Sequence, residues 1–324
     1  MDIMDHSNKS NIKEVPEISV IIPVYNEEGN ILQMYDRLKK VLTEKINVTY
    51  EIIYIDDGSV DKSWQIIKEL DIKDNAVSGI KFSRNFGHQL AVSAGIDNAH
   101  GKATVIIDAD LQDPPELIID LYNKWKEGYE VVYAKRKKRT GENKFKLLTA
   151  FLFYRLLNKL TEIRIPLDTG DYRLFDYKVR KELIKLNESN RFIRGLISWI
   201  GFKQTSVEYD RDSRYYGSTK YSIRKMVQFG LDGITSFSLK PLKISQTFGI
   251  IAIFFGFCLS IYALIEKIFF PENVISGWAS IFVTLVFFAG VQLLSIGILG
   301  EYIGRIFTEV KKRPLYIIDE KINN

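Results

Sequence analysis

The chain has 324 residues, a formal net charge of +5 and a single cysteine, Cys258. This length exceeds one average domain and falls short of three, which favours one large globular unit plus a smaller element. One cysteine excludes both a disulfide framework and a metal site built from cysteines.

The first 16 residues are polar. They contain no charged segment followed by an apolar one, so they do not have the pattern of a secretory signal. We predict a disordered tail over 1–16, followed by a domain that is not exported.

Strand and helix patterns then alternate. The run 18–24 is continuous and rich in β-branched residues, which is typical of a parallel strand buried on both faces. Further strands are predicted over 50–55, 79–83, 103–107 and 130–134, with helices over 30–41, 62–70, 89–99 and 115–126. This order predicts an α/β fold with a doubly wound, mostly parallel, Rossmann-like sheet.

Polar clusters follow the predicted strands. They are PVYNEE at 23–28, DDGS at 56–59, SRNFGHQ at 83–89 and DADLQDPPE at 108–116. Ligands of open α/β sheets bind at the carboxyl ends of the strands, so these clusters indicate the site. The absence of a GxGxxG turn or a P-loop argues against a dinucleotide enzyme or an NTPase. It favours a ligand whose phosphates are held by a metal ion.

Asp108 and Asp110 flank Ala109 at a strand end, where alternate side chains point the same way. Two such carboxylates suit Mg²⁺ or Mn²⁺, with substrate phosphate completing the coordination. Gln112 could add a neutral oxygen. The alternative is a turn that is rich in Asp only because Asp suits turns.

A dense basic cluster, KRKKR, occupies 135–139. It suits nucleic acid, anionic lipid or phosphate, or it is a solvated loop. The stretch 144–160 has apolar residues on one side and basic residues on the other, which fits a helix on a bilayer surface and equally a helix facing the core.

Two runs, 244–265 and 273–300, contain no charged residue. At about 1.5 Å of rise per residue, each can cross a hydrocarbon layer of about 30 Å. We predict a two-helix transmembrane hairpin at about 246–268 and 275–300, the alternative being a pair of buried helices. The flanking basic residues place both termini and the large domain in the cytoplasm. These residues are Lys240, Lys243, Arg305, Lys311, Lys312 and Arg313.

Three further motifs complete a resemblance: DTGDYRL at 168–174, RYYGSTKY at 214–221 and LLSIGILGEYIGRIFTEVKKRPLYI at 293–317. With the strand-end clusters, they make the chain resemble the polyprenyl-phosphate glycosyltransferases of glycosyltransferase family 2. That group includes dolichyl-phosphate mannose synthase and bacterial undecaprenyl-phosphate glucosyltransferases.

The resemblance implies a GT-A fold and assigns roles to residues. The nucleotide would contact Pro23, Tyr25, Asn26, Glu27, Asp56, Asp57 and Asp108. Asp108 and Asp110, with Gln112, would hold the metal. On the acceptor side, Asp168 or Asp171 would orient the sugar or assist the attack, and the choice between them is open. We expect His88 to be structural.

The acceptor chemistry follows from charge. A phosphate monoester has a second pKa of about 6, so it needs no strong general base but does need cations to position it. The candidates are Arg136, Arg139, Arg211 and Arg214, because guanidinium groups bind phosphate bidentately.

We therefore expect inverting transfer of a hexose from a nucleoside diphosphate sugar, with UDP-glucose favoured, to undecaprenyl phosphate on the cytoplasmic leaflet. The alternatives are a processive polysaccharide synthase and a non-catalytic membrane scaffold. The expected divisions are a catalytic domain at 17–221, a juxtamembrane helix at 222–243, the hairpin at 244–300 and a C-terminal tail at 301–324. We expect a multi-pass protein of the inner membrane that forms a homo-oligomer and has no nucleic-acid partner.

Overall fold

A mixed sheet forms the centre of the molecule. The computed structural model describes residues 15–137, 166, 169–186, 188–210, 235, 238–269 and 278–323. The strands in these residues are β1 (Ile18–Val24), β2 (Tyr50–Asp56), β3 (Val77–Phe82), β4 (Ala103–Ile106), β5 (Val131–Arg136), β6 (Thr169–Asp176), β7 (Gln204–Tyr209) and β8 (Ile318–Ile322).

Helices connect most of these strands. They are α1 (Ile31–Lys40), α2 (Ser63–Lys73), α3 (His88–Asn98), α4 (Ile118–Lys126), α5 (Tyr177–Lys185), α6 (Ile193–Ile200), α7 (Lys240–Phe269) and α8 (Trp278–Lys311). A π-helical turn, Val41–Ile46, extends α1, and a 3₁₀ turn, Pro115–Leu117, precedes α4.

The strand order is β7-β5-β6-β4-β1-β2-β3-β8. The strands β4, β1, β2 and β3 are parallel, whereas β6 and β8 run antiparallel to their neighbours. The predicted strands and helices of the first half of the chain are confirmed, with small differences at their ends. The sequence analysis did not anticipate β6, β7 and β8, because each contains charged residues and lacks the continuous apolar run that marks β1.

Both faces of the sheet are covered, which explains the continuous apolar run of β1. Val20 and Ile22 pack into one hydrophobic cluster with α1 and α4, and Ile21 packs into the other with α3, α5 and α6. The sheet therefore fixes the carboxyl ends of its parallel strands between two packed layers.

The two long C-terminal helices are apolar and exposed. The stretches Lys240–Tyr262 and Thr284–Lys311 are long and apolar enough to cross a bilayer, with 6% and 0% of their most apolar windows buried. The helices contact each other where Gly256 lies against Phe288. Helix α8 continues past the charge-free run that ends at Gly300, up to Lys311. The segment 144–160, predicted as a helix on the bilayer surface or facing the core, lies outside the described residues. So does 222–234 of the juxtamembrane helix predicted over 222–243, and residues 240–243 form the start of α7.

Candidate active site

The loops that follow β1 and β2 hold each other through hydrogen bonds. The Asn26 backbone N donates to Ser59 Oγ (2.9 Å), and Val60 N donates to Asn26 Oδ1 (2.9 Å). Asn26 has φ 55°, a left-handed conformation that Asn tolerates better than most residues. Glu27 N donates to Ser63 Oγ at the start of α2.

The loop after β3 joins this pair. Gly58 has φ +71°, and a Cβ atom there would lie 2.5 Å from the Arg84 carbonyl carbon. Only glycine therefore allows the turn 56–59 to lie against the backbone of the 83–87 loop. The three loops form one unit at the carboxyl ends of the parallel strands.

Asp56 and Asp57 have different environments within this unit. The Asp57 carboxylate accepts hydrogen bonds from the backbone N of Phe86 (2.7 Å) and of Gly87 (2.9 Å), so it anchors the third loop. Asp56 accepts from Ser59 N, while its Oδ2 atom is buried and has no hydrogen-bond partner in the described part of the chain. Burial raises the pKa of both carboxyl groups.

A strained acidic turn follows β4. Leu111, between Asp110 and Gln112, is buried and has φ 59°, which is unfavourable for a γ-branched residue. Gln112 N donates to Asp110 Oδ1. Burial raises the pKa of Asp108 to about 6; His88 opposes this shift, and the nearby carboxylates of Asp113 and Asp110 add to it.

Converging carboxylates of this kind fit a divalent cation. In the described residues, no group of three or more His, Cys, Asp or Glu side chains is arranged to hold a metal ion. Asp108 and Asp110 could supply two carboxylate ligands, and the sequence analysis predicts that substrate phosphate oxygens complete the coordination.

Asp171, at the start of β6, is the centre of a charged cluster. Arg194 Nη2 lies 3.2 Å from its Oδ1, and Arg173 Nη2 lies 3.9 Å from the same atom. Gln89 Nε2 donates to its Oδ2 (2.9 Å), and His88 Nε2 lies 3.3 Å from that oxygen. Burial would raise the pKa of Asp171, but Arg194 and His88 hold it well below its usual range.

His88 connects this cluster to the acidic turn. Its Nε2 atom also lies 3.6 Å from Asp108 Oδ1. Burial lowers the pKa of the imidazole, but the carboxylates of Asp108 and Asp171 outweigh it and raise that pKa to about 9. His88 is therefore a cation at neutral pH between two carboxylates from different strands.

The model of the family described as glycosyl transferase family 2 matches residues 19–184. The uncharacterized glycosyltransferase YkcC of Bacillus subtilis (strain 168) is 52% identical over 94% of this chain and 94% of its own length. The prophage bactoprenol glucosyl transferase homolog of Escherichia coli (strain K12) is 40% identical over 93% of this chain and 98% of its own length.

The chain belongs to glycosyltransferase family 2. The fold is of the GT-A type, as the resemblance implied. Among solved structures, mannosyl-3-phosphoglycerate synthase from Rubrobacter xylanophilus matches with a TM-score of 0.48 and 14% identity, over 67% of this chain and 71% of that one.

The structure of this family 2 glycosyltransferase brings together most of the nucleotide residues named from the sequence. Pro23 is buried in β1, whereas Tyr25, the first residue after this strand, is exposed. Asn26 and Glu27 use backbone groups, and Asn26 also its side chain, to hold the loops together.

The predicted acceptor residues are only partly described. Arg136 Nε donates to Tyr209 OH (3.3 Å), which in turn donates to Asp113. The Arg136 Nη2 atom also lies next to Gly170, one residue before Asp171. Arg136 therefore lies between the acidic turn and β6. Asp168, Arg139, Arg211 and Arg214 lie outside the described residues.

The sequence analysis missed Gln89 and Arg194 and assigned His88 only a structural role. His88 and Gln89 open α3 directly after a strand-end loop, and this position alone could have identified them. Arg194 follows Asp171 by a long stretch of sequence and belongs to α6, so no local pattern connects the two.

Proposed function

We propose that this glycosyltransferase transfers a hexose, with inversion, from a nucleoside diphosphate sugar to a polyprenyl phosphate at a membrane surface. The observation that favours this acceptor is the position of Asp171, whose carboxylate lies 3.2 Å from Arg194 and 3.3 Å from His88, two cations that hold its pKa well below its usual range. A carboxylate whose pKa is held well below its usual range is a weak general base and would activate an alcohol poorly. A phosphate monoester is already anionic near neutral pH and needs orientation instead.

The charge around Asp171 supports the same acceptor. Arg194, Arg173 and His88 lie 3.2 to 3.9 Å from the Asp171 carboxylate, and Asp108 lies on the other side of His88. With Asp108 engaged by a metal ion, these three cationic groups would attract an anionic oxygen and reduce its repulsion from the donor diphosphate. Arg136, next to Gly170, would add a guanidinium group to the same region.

The donor would lie across the three interlocked loops. The buried Asp56 Oδ2 atom, which no group of the described residues contacts by a hydrogen bond, would accept one from an N–H group of the base or a hydroxyl of the ribose. Asp108 and Asp110 would hold Mg²⁺ or Mn²⁺, which would neutralise the leaving diphosphate. Glucose is the favoured sugar, because relatives named bactoprenol glucosyl transferases match over most of the chain. UDP is the favoured nucleotide on the resemblance of the sequence to bacterial undecaprenyl-phosphate glucosyltransferases.

In the reaction, an oxygen of the acceptor phosphate attacks the anomeric carbon opposite the diphosphate. The bond from that carbon to the diphosphate oxygen breaks, which gives a β-linked sugar from an α-linked donor and releases the nucleoside diphosphate. Asp171 takes no proton in this scheme. It positions Arg194 and His88, and these hold the acceptor phosphate.

Helices α7 and α8 would anchor the enzyme in the membrane. The chain leaves the catalytic domain before α7 and returns to the same sheet through β8. Both ends of the hairpin would therefore lie on the side of the catalytic domain, and the flanking basic residues favour the cytoplasmic side.

The orientation predicts that tags at either terminus are inaccessible from outside intact cells. External labelling of one of them would contradict this orientation.

A matched pair of acceptors tests the proposed reaction. Purified enzyme is given radiolabelled UDP-glucose and Mn²⁺ with either undecaprenyl phosphate or undecaprenol, which lacks only the phosphate. We expect a single labelled hexose on the phosphate lipid and none on the alcohol. Equal transfer to undecaprenol would contradict the phosphate argument, and a growing polymer would indicate a processive synthase. UDP binding that is independent of Mn²⁺, without transfer, would indicate a scaffold.

A further inference from the structure

The last strand of the chain lies at the edge of the catalytic sheet. Strand β8 pairs antiparallel with β3, although in the sequence the helices α7 and α8 lie between β8 and the other strands. Trp64 Nε1 donates to Glu320 Oε2 (2.8 Å), and Lys68 forms an ion pair with the same carboxylate. The end of the chain is thus an integral part of the fold.

The segment directly before β8 contacts the loop that follows β3. Ser83 N donates to the Ile317 carbonyl oxygen (3.0 Å), which extends the pairing by one step into that loop. The Tyr316 ring stacks on Phe82, with centroids 4.9 Å apart and planes at 15°, and Phe82 makes an edge contact with Phe86. Tyr316 OH donates to Asp97 Oδ2 on α3 (2.9 Å).

These contacts lead into the donor side of the site. The loop 83–87 presents the N–H groups of Phe86 and Gly87 to Asp57 and lies against Gly58. A chain of direct contacts therefore runs from Tyr316 through Phe82 and Phe86 to the turn that contains Asp56.

We infer that Tyr316 is a positioning residue of the donor site, which acts by ordering the 83–87 loop against Asp57. The inference rests on the proposed function, because it assumes that Asp56 contacts the nucleotide. It also assigns a role to the segment after α8, which joins the apolar hairpin to the active site through residues 312–317. A displaced segment would loosen the nucleoside pocket without altering the charged cluster around Asp171.

The test compares Tyr316→Ala with Tyr316→Phe in the full-length enzyme. Hydrogen exchange of the 83–87 amides reports the loop directly and does not depend on which donor is used. In Tyr316→Ala we expect exchange to be faster by about tenfold or more, since local opening is no longer opposed by the stacked ring. Tyr316→Phe keeps the ring and loses only the bond to Asp97, so its loop should exchange nearly as in the wild type.

Kinetics supply the second measurement. We expect Tyr316→Ala to raise the Michaelis constant for the nucleotide-sugar by about tenfold, with the constant for the lipid phosphate unchanged. Lys321→Ala is the matched control, because Lys321 lies on β8 and bonds to Asn98 rather than to the loop. It should behave as the wild type in both measurements. If Tyr316→Ala does not fold, Tyr316→Leu replaces it, keeping apolar bulk without a ring that stacks.

The outcomes separate the inference from the proposed function. Unchanged loop exchange in a folded Tyr316→Ala or Tyr316→Leu variant overturns the inference, as does an equal rise in both Michaelis constants. Faster exchange with weaker binding of UDP supports it, even if the sugar or acceptor is not the proposed one. Faster exchange with unaltered UDP affinity overturns the link to the donor site.

Discussion

Short loops held together by hydrogen bonds between side chains and main chain form the proposed donor side of the site, whereas charged side chains from distant segments form the proposed acceptor side. On the donor side, Asn26, Ser59 and Asp57 bond to main-chain groups of neighbouring loops. On the acceptor side, Asp171 meets side chains from α3 and α6. The first arrangement depends on shape and tolerates little added volume. The second depends on charge balance and tolerates little change of charge.

The largest effect should come from the acidic turn that both sides share. Asp110→Ala removes one of the two proposed metal carboxylates, so metal-dependent UDP binding and transfer should both disappear while the protein still folds. Titration calorimetry of UDP with and without Mn²⁺ measures this. Asp120→Ala, on the exposed side of α4, is the acidic control. Full activity of Asp110→Ala in excess chelator would exclude the metal assignment.

Asp171→Asn should impair the proposed acceptor side of the site and leave the proposed donor side intact. The change keeps the shape but leaves Arg194 without its carboxylate partner and His88 with Asp108 alone, so the turnover number should fall by about 100- to 1000-fold. Loss of one partner from a buried charged cluster should also lower the free energy of unfolding by about 3 to 5 kcal/mol. UDP affinity, measured by calorimetry, should barely change. A comparable loss of UDP affinity would show that the two sides are not independent.

Arg136→Ala tests whether the basic segment serves the acceptor. Loss of a charge-assisted contact of about 1.5 to 3 kcal/mol should raise the Michaelis constant for the polyprenyl phosphate about 10- to 100-fold. Lysine should rescue poorly, because it lacks the bidentate geometry. Lys135→Ala, on the same strand as Arg136, removes an exposed ion pair with Glu208 and is the control. If Arg136→Ala instead weakens binding of the donor, Arg136 lies over the diphosphate and not at the acceptor. Its link through Tyr209 to Asp113, in the acidic turn, is the contact that would place it there.

Gly58→Ala should disturb the donor side without any change of charge. Its Cβ would meet the Arg84 backbone, and the φ of +71° is strained for alanine, so the UDP dissociation constant should rise by about tenfold. Gly128→Ala imposes a comparable φ strain away from the site, where a Cβ has free space, and should leave UDP binding intact. Equal effects of the two substitutions on UDP binding would contradict the interlocked-loop description.

The smallest effect concerns the pH dependence of stability in the metal-free enzyme. Because the folded protein raises the pKa of His88 from 6.5 to about 9, its contribution is fully present below pH 6.5 and is lost as the pH rises towards 9. Melting temperatures measured in chelator should therefore fall over this window, and His88→Asn should flatten that part of the profile. An unchanged profile in His88→Asn would show that His88 is not protonated between Asp108 and Asp171.

The sequence by itself determined the parallel half of the sheet and the donor side. Continuous apolar runs define the strands Ile18–Val24 and Tyr50–Asp56, and the polar residues that end them must lie at one edge because parallel strands share a direction. The apolar helices followed from composition alone. In each case the determining residues are neighbours in the chain, so a local pattern was sufficient.

Only the tertiary structure decided the acceptor cluster and the C-terminal strand. Arg194 reaches Asp171 because α6 packs in the same hydrophobic cluster as β6. His88 joins Asp171 to Asp108 because α3 begins at the edge of the sheet where β4 ends and the antiparallel β6 starts. Strand β8 is short and charged, and its pairing with β3 depends on an open sheet edge far away in sequence. Contacts of this kind arise from the packing of complete elements, which no local pattern of residues specifies.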